Sequence, residues 1–179
     1  MVIGIFNMTI RLYLMRHATA VPHGSPGYAQ DHLRPLTNEG RDEARAVARG
    51  LKRLSIQPDR LLASPYVRAR QTAEEVARIL APTVVLEEML ALRPESDPRE
   101  TSSGLKVFRA ARHLLFFGHE PHLSAWIAQL VDPDAGARCL MKKAGVACVE
   151  IEQFPPVAGA GLLRWLMTPK QLVLIGKDI

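Results

Sequence analysis

The sequence predicts an α/β protein, a three-layer α/β/α sandwich around a mostly parallel central sheet. Three observations carry this. Short runs rich in branched and aromatic residues recur along the chain, amphipathic helical stretches separate them, and two of those stretches open with a proline at a helix-start position. The chain has 179 residues, 47% of them hydrophobic and 6% aromatic, enough to bury one substantial core. It reads as one domain over residues 1–179, with residues 1–8 as a dispensable N-terminal extension ended by a candidate start, Met8.

The first strand is "IRLYLM" (10–15), an aliphatic run that stops abruptly at Arg16 and His17. A helix follows, because Ala44, Val47, Ala48, Leu51 and Leu54 recur at helical spacing behind Thr37, a suitable N-cap. "RLLA" (60–63) is the second strand, and "SPYVRARQTAEEVARIL" is a helix expected to start with Ser64 as N-cap and Pro65 at its first position. "TVVLE" (83–87) is the third strand. The turn-rich stretch from Ala91 to Arg112 reads as a surface loop followed by a short helix around Leu105–Arg112. "HLLFFG" (113–118) is the fourth strand, and "EPHLSAWIAQLV" the next helix, with Leu123, Trp126, Ile127, Leu130 and Val131 as its apolar stripe. "GVACVEI" (145–151) and "LLRWLM" (162–167) complete the set, joined by the Pro-containing "EQFPPVAGAG" (152–161) as a hairpin connection.

Composition excludes several classes. No apolar run approaches the ~20 residues that cross a bilayer. "MVIGIF" is too short for a signal-peptide core and has no basic residue ahead of it, so the expected location is cytoplasmic, with no membrane partner. Cys139 and Cys148 are isolated, which argues against a zinc site or a disulfide framework and leaves two free thiols. The balance of 23 Lys+Arg against 18 Asp+Glu gives +5, suited to an anionic ligand, but the arginines form no basic block and nucleic acid is not expected as a partner.

Ligands of open α/β sheets bind beyond the carboxyl ends of the strands. There the sequence places Arg16 and His17 after the first strand, Ser64 and Arg68 after the second, and Gly118 and His119 after the fourth. Arg68 falls in a first helical turn, where backbone N–H groups also favour an anion. Two arginines, two histidines and a helix start thus converge on one phosphate-sized site. His23, His32 and His113 read as loop or surface residues, His122 as a neighbour of the pocket, and Trp126 and Trp165 as core.

"LMRHATA", "LTNEGRDEA", "LLASPYVRARQTAE" and "FFGHEPHLS", in this order, resemble the histidine phosphatase superfamily, and most closely its small SixA-type phosphohistidine phosphatases. The closing "RWLMTPKQL" is similar to the end of that subgroup. Ala18 stands where the superfamily more often has Gly in its RHG motif. The resemblance implies a phosphoglycerate mutase-like fold and a phosphatase without cofactor or metal, in which His17 is the nucleophile and Arg16, Arg68 and His119 hold the phosphoryl oxygens, with Thr19 as a further substrate contact. It also implies a role in signal transduction, with a phosphorylated protein such as a histidine phosphotransfer domain as substrate partner. The superfamily often places its general acid after the third strand, where Glu88, Glu95 and Asp97 are candidates; Asp97 is favoured because "RPESD" is a turn able to fold over the pocket.

Only about 25 residues separate the third and fourth strands, little more than a loop and one helix, so a large lid is not expected. An open site suits a phosphorylated side chain on another protein. A small-molecule phosphomonoesterase and a non-catalytic phosphate-binding module are the alternatives. A pure binder would need the arginines but not a nucleophile beside them.

Overall fold

The structure, a computed structural model, describes residues 9–134 and 139–177. The expected N-terminal extension, residues 1–8, lies outside them. Six strands form one sheet in the order β3-β2-β4-β1-β5-β6: β1 Ile10–Arg16, β2 Arg60–Ala63, β3 Leu86–Glu88, β4 His113–Gly118, β5 Val146–Ile151 and β6 Leu162–Met167. The pairs β3/β2, β2/β4 and β4/β1 are parallel, and β1/β5 and β5/β6 are antiparallel. The turn over residues 152–161 joins the antiparallel pair β5/β6, as a hairpin connection should.

Alternation along β1 divides the core into two. Tyr13 and Met15 face one cluster with α1 (Asn38–Arg53), α2 (Val67–Leu80) and α5 (Pro169–Ile175), while Leu12 and Leu14 face a second cluster with α4 (His122–Val131). The first cluster takes Ala44, Val47, Ala48 and Leu51 from α1, the stripe predicted from its spacing. Each fully buried Leu or Val contributes about 1.5–3 kcal/mol relative to exposure. Trp126 is fully buried on α4, its indole N–H donating to Ser102 Oγ (2.9 Å) on α3 (Pro98–Gly104). Cys148 is buried and Cys139 partly so, both as free thiols.

Four elements differ from expectation. Ser64 does not cap α2: its N–H continues the sheet by donating to Phe117 O (2.9 Å), so the helix starts only at Val67, behind Tyr66. The third strand is shorter and later, because residues 81–84 close a turn in which Val84 N–H donates to Ala81 O (3.1 Å). The helix expected around Leu105–Arg112 instead spans Pro98–Gly104, with the Asp97 side chain accepting from Arg99 N–H and Pro98 at the first turn; a short 3-10 turn over Leu105–Phe108 follows. Helix α5 was not anticipated. Its signal was present in "TPKQ", where Thr168 and Gln171 form a capping box around Pro169.

Candidate active site

The strand order sets the ends of β2, β4 and β1 side by side: Arg16 lies opposite Gly118, and Ala63 opposite Phe117. His17 N–H donates to Gly118 O (3.0 Å), which carries the ladder one residue past β1 and fixes the histidine relative to the sheet. The next residue is held as well. Ala18 N–H donates to Thr72 Oγ1 (3.1 Å), and the Thr72 hydroxyl donates to Arg68 O (2.7 Å), so one threonine ties the loop after His17 to α2. The Ala18 methyl packs in the first core cluster with no exposure.

Two contacts define the His17 tautomer. Nδ1 lies 2.8 Å from Ala18 O, which only accepts, so Nδ1 carries the hydrogen. Nε2 lies 3.2 Å from Arg68 Nε, which only donates, so Nε2 presents its lone pair. Burial pulls the His17 pKa from 6.5 down to about 3, and the Arg68 and Arg16 charges act in the same direction against the Ala18 carbonyl. His17 is therefore a neutral imidazole at physiological pH. His119 is its neighbour at 5.1 Å between ring centroids, also neutral, with its pKa lowered to about 2 chiefly by burial and then by His17 and Arg68.

Arg68, in the first turn of α2, is buried, and each of its three nitrogens donates one hydrogen bond. Besides His17 it donates from Nη1 to Asp31 O (2.8 Å) and from Nη2 to Asp31 Oδ2 (2.9 Å). Asp31 also pairs with Arg34 (2.6 Å). Burial opposes ionisation of Asp31, but the Arg34 hydrogen bond and the Arg68 charge outweigh it and lower its pKa to about 2. Arg16 Nη1 donates to Met141 O (2.7 Å), and His119 Nε2 lies 2.9 Å from Ser64 Oγ. Two nitrogens here, Arg16 Nε and His119 Nδ1, are buried without a hydrogen-bond partner. Such orphans are uncommon in native structures and fit a site built to meet an added acceptor.

Arg16, His17, Thr19, Arg68 and His119 line one solvent-open cleft of about 610 Å³. Thr19 faces it while its N–H and hydroxyl donate to Glu43 Oε2 (both 3.2 Å). The three expected acids lie elsewhere. Asp97 caps α3, Glu95 accepts from Tyr66 OH (3.2 Å), and Glu88 lines a separate hollow beside β3 with Ser64, Arg70 and Glu74. The carboxylates on the cleft wall are Glu39 and Glu120, joined there by Arg34 and Lys143. His122 is not a pocket neighbour but a buried structural histidine, held by Thr101 Oγ1 (3.0 Å) and Ser96 O (3.0 Å). Among the described residues, no three His, Cys, Asp or Glu side chains are grouped to hold a metal ion.

Asp31, Ser64, Thr72 and Glu120 are the site residues the sequence reading did not select for these roles. "DHLRP" gives no periodic signal, and Ser64 before Pro65 reads as a helix cap. Glu120 alone had a usable signal, being adjacent to His119 after β4.

The family model for the histidine phosphatase superfamily (branch 1) matches residues 12–92, which hold the first three of the four motifs. The chain belongs to the histidine phosphatase superfamily. Among superfamily proteins it is similar to phosphohistidine phosphatase SixA of Escherichia coli (strain K12), with 29% identity over 165 residues, 91% of this chain and 96% of that protein. It superposes on the structure of the protein histidine phosphatase SixA complexed with tungstate at a TM-score of 0.79 and 29% identity, covering 91% of this chain and 99% of that one. Phosphoglycerate mutase from Bacillus anthracis str. Sterne shares the fold at a TM-score of 0.66 and 16% identity, covering 95% and 97%. The family match together with the near full-length likeness to SixA makes the chain a phosphatase of this superfamily, and no described helix is long and apolar enough to cross a membrane.

Proposed function

We propose that the chain is a metal-independent protein phosphohistidine phosphatase acting through a phospho-His17 intermediate. The observation that carries this is the tautomer: a neutral imidazole, unprotonated at Nε2, accepts from Arg68 Nε and lines one cleft with Arg16 and Arg68. Nε2 attacks phosphorus in line, and the bond from phosphorus to the leaving imidazole nitrogen breaks as the electron pair departs with that nitrogen. Arg16, Arg68 and His119 bind the phosphoryl oxygens and stabilise the charge of the transition state, with Thr19 as a peripheral contact. Water then attacks phospho-His17, the P–Nε2 bond breaks, and inorganic phosphate leaves with His17 neutral again.

Phosphohistidine fits because its P–N bond is labile and the leaving imidazole takes a proton on its distal nitrogen, which reduces the need for an enzymic acid. Glu88, Glu95 and Asp97 stand away from the cleft wall, in keeping with that smaller need. The natural substrate on this reading is a phosphorylated protein of a signalling system, such as a histidine phosphotransfer domain, in the cytoplasm, where two free thiols persist. One observation favours a second reading, a small-molecule phosphomonoesterase: Glu120 lines the cleft beside His119, where a carboxyl group could protonate an oxygen leaving group.

Rates on a phosphohistidine-bearing protein, a phosphoserine peptide and p-nitrophenyl phosphate, all in EDTA, separate the two. The proposal expects the phosphohistidine protein to be preferred, with Glu120→Gln slowing only the ester. Preference for small esters, with a large equal loss on all substrates in Glu120→Gln, would move the assignment to the phosphomonoesterase. Rescue by a divalent ion after EDTA treatment would remove the metal-independent mechanism.

A further inference from the structure

A second concavity of about 580 Å³ abuts the His17 cleft and shares Arg16, Thr19 and Lys143 with it. Its outer wall carries Lys142, Lys170 and Pro169. Hydrogen bonds to the flanking backbone fix Lys142 and Lys143 relative to β1: Met141 O accepts from Arg16 Nη1 (2.7 Å), and Ala144 N–H donates to both Arg16 O (3.1 Å) and His17 O (3.2 Å). Lys142 and Lys143 lie between those two anchors. Lys170 is in the first turn of α5, which is locked to α1 by the fully buried Leu172.

The charge of this ledge is uncompensated. Its one carboxylate, Glu43, is turned inward to the Thr19 N–H and hydroxyl. Among the described residues, no carboxylate is ion-paired with Lys142, Lys143 or Lys170. The opposite flank of the site differs: beside β2 and β3, Glu74 pairs with Arg70 (3.6 Å) and Glu87 with Arg60 (4.0 Å). Of these two flanks, the β5 and α5 side carries lysines with no ion-paired carboxylate among the described residues, and it is continuous with the reaction cleft.

We propose that the Lys142–Lys143–Lys170 ledge docks acidic residues that flank the phosphohistidine on the substrate protein. This rests on the phosphohistidine reading above and deepens it, by giving the substrate a charge signature and an orientation. A phosphoryl group alone reaches Arg16 and Arg68. A polypeptide carrying it must also cover one flank of the cleft, and carboxylates on the β5 side meet ammonium groups there while the β3 side offers none. The ledge raises the encounter rate and selects among phosphohistidine proteins by charge, a screened effect that salt removes.

The test uses two synthetic peptides of equal length, each with one phosphohistidine, flanked by glutamates in one and by glutamines in the other. At low salt the acidic peptide is expected to have a kcat/KM about 10-fold higher, with the gap closing as salt rises to about 300 mM. The double variant Lys142→Glu/Lys170→Glu should lose the preference while hydrolysing p-nitrophenyl phosphate like the wild type. The salt dependence is measured on the wild-type protein and needs no variant. Equal kcat/KM for both peptides, or a preference that survives charge reversal, overturns the ledge and leaves the phosphohistidine reading intact. Hydrolysis of p-nitrophenyl phosphate with no cleavage of either peptide overturns that reading and the ledge with it.

Discussion

Arg68 shows how much one side chain does in this site. Its three nitrogens contact His17 Nε2, the Asp31 carbonyl and the Asp31 carboxylate, so a planar fork is oriented from three sides while two of its five N–H groups carry no bond in these contacts. An ammonium group keeps the charge but not the fork. Arg68→Lys is therefore expected to lower kcat/KM by about 30- to 1,000-fold, equivalent to about 2–4 kcal/mol of transition-state stabilisation, with a near-native melting temperature. Steady-state kinetics and a thermal melt check it, and wild-type rates would mean that Arg68 does not hold the phosphoryl group. The sequence groups Arg16, His17, Arg68 and His119 because each stands at or shortly after the end of a strand, and all four line one cleft. Asp31 was not legible there, since its partner Arg68 is 37 positions away and it sits in an irregular loop with no hydrophobic period.

At the scale of elements, α1 and the loop after His17 touch through bare backbone. A Cβ at Gly40 would overlap the Thr19 carbonyl oxygen, and Thr37, whose side chain caps α1, donates its own N–H to the same oxygen (3.0 Å). Gly40→Ala improves intrinsic helix propensity yet is expected to cost about 1–3 kcal/mol through overpacking, and to depress turnover by displacing the loop that carries Thr19. Denaturant unfolding alongside kinetics measures both; greater stability than wild type would show that the loop yields freely. Helix propensity alone gives the wrong sign here, because the contact is tertiary. The same limit explains the misplaced start of α2. Ser64-Pro65 is a sound local start signal, overridden when Ser64 extends the β2/β4 ladder. Where local chemistry faced no tertiary competitor, as with Thr37 capping α1 and the five strands β1, β2, β4, β5 and β6, expectation and structure agree to within a residue.

The whole molecule keeps a buried neutral imidazole pair just past the carboxyl ends of its central strands β1 and β4, and this sets its response to acid. His17 and His119 have folded-state pKa values of about 3 and about 2, against 6.5 when exposed, with burial as the leading cause. Below pH 6.5 the unfolded chain binds protons on both histidines and the folded chain does not. Their contribution is thus fully present above 6.5 and is lost as pH falls toward the folded values, at up to about 1.4 kcal/mol per pH unit for each histidine. Asp31 adds an acid-sensitive contribution only at lower pH, since its carboxyl pKa is 3.8 unfolded and about 2 folded. Unfolding free energy should therefore decline between about pH 6.5 and 5, and His119→Gln should flatten that decline; a stability independent of pH over this range would contradict the buried neutral pair. The architecture as a whole was readable because strand and helix periods alternate cleanly, whereas the carboxylates that face the cleft depend on loop paths that no period encodes.

On the proposed mechanism, His17 Nε2 takes the phosphoryl group. Rapid acid-free quenching of wild-type protein during turnover, followed by proteolysis and mass spectrometry, tests it directly. The account predicts an acid-labile, base-stable phosphate mapped to His17, and in His17→Ala no phosphoenzyme and no turnover while vanadate still binds. Phosphate on a serine or a carboxylate, or full activity in the alanine variant, would contradict it.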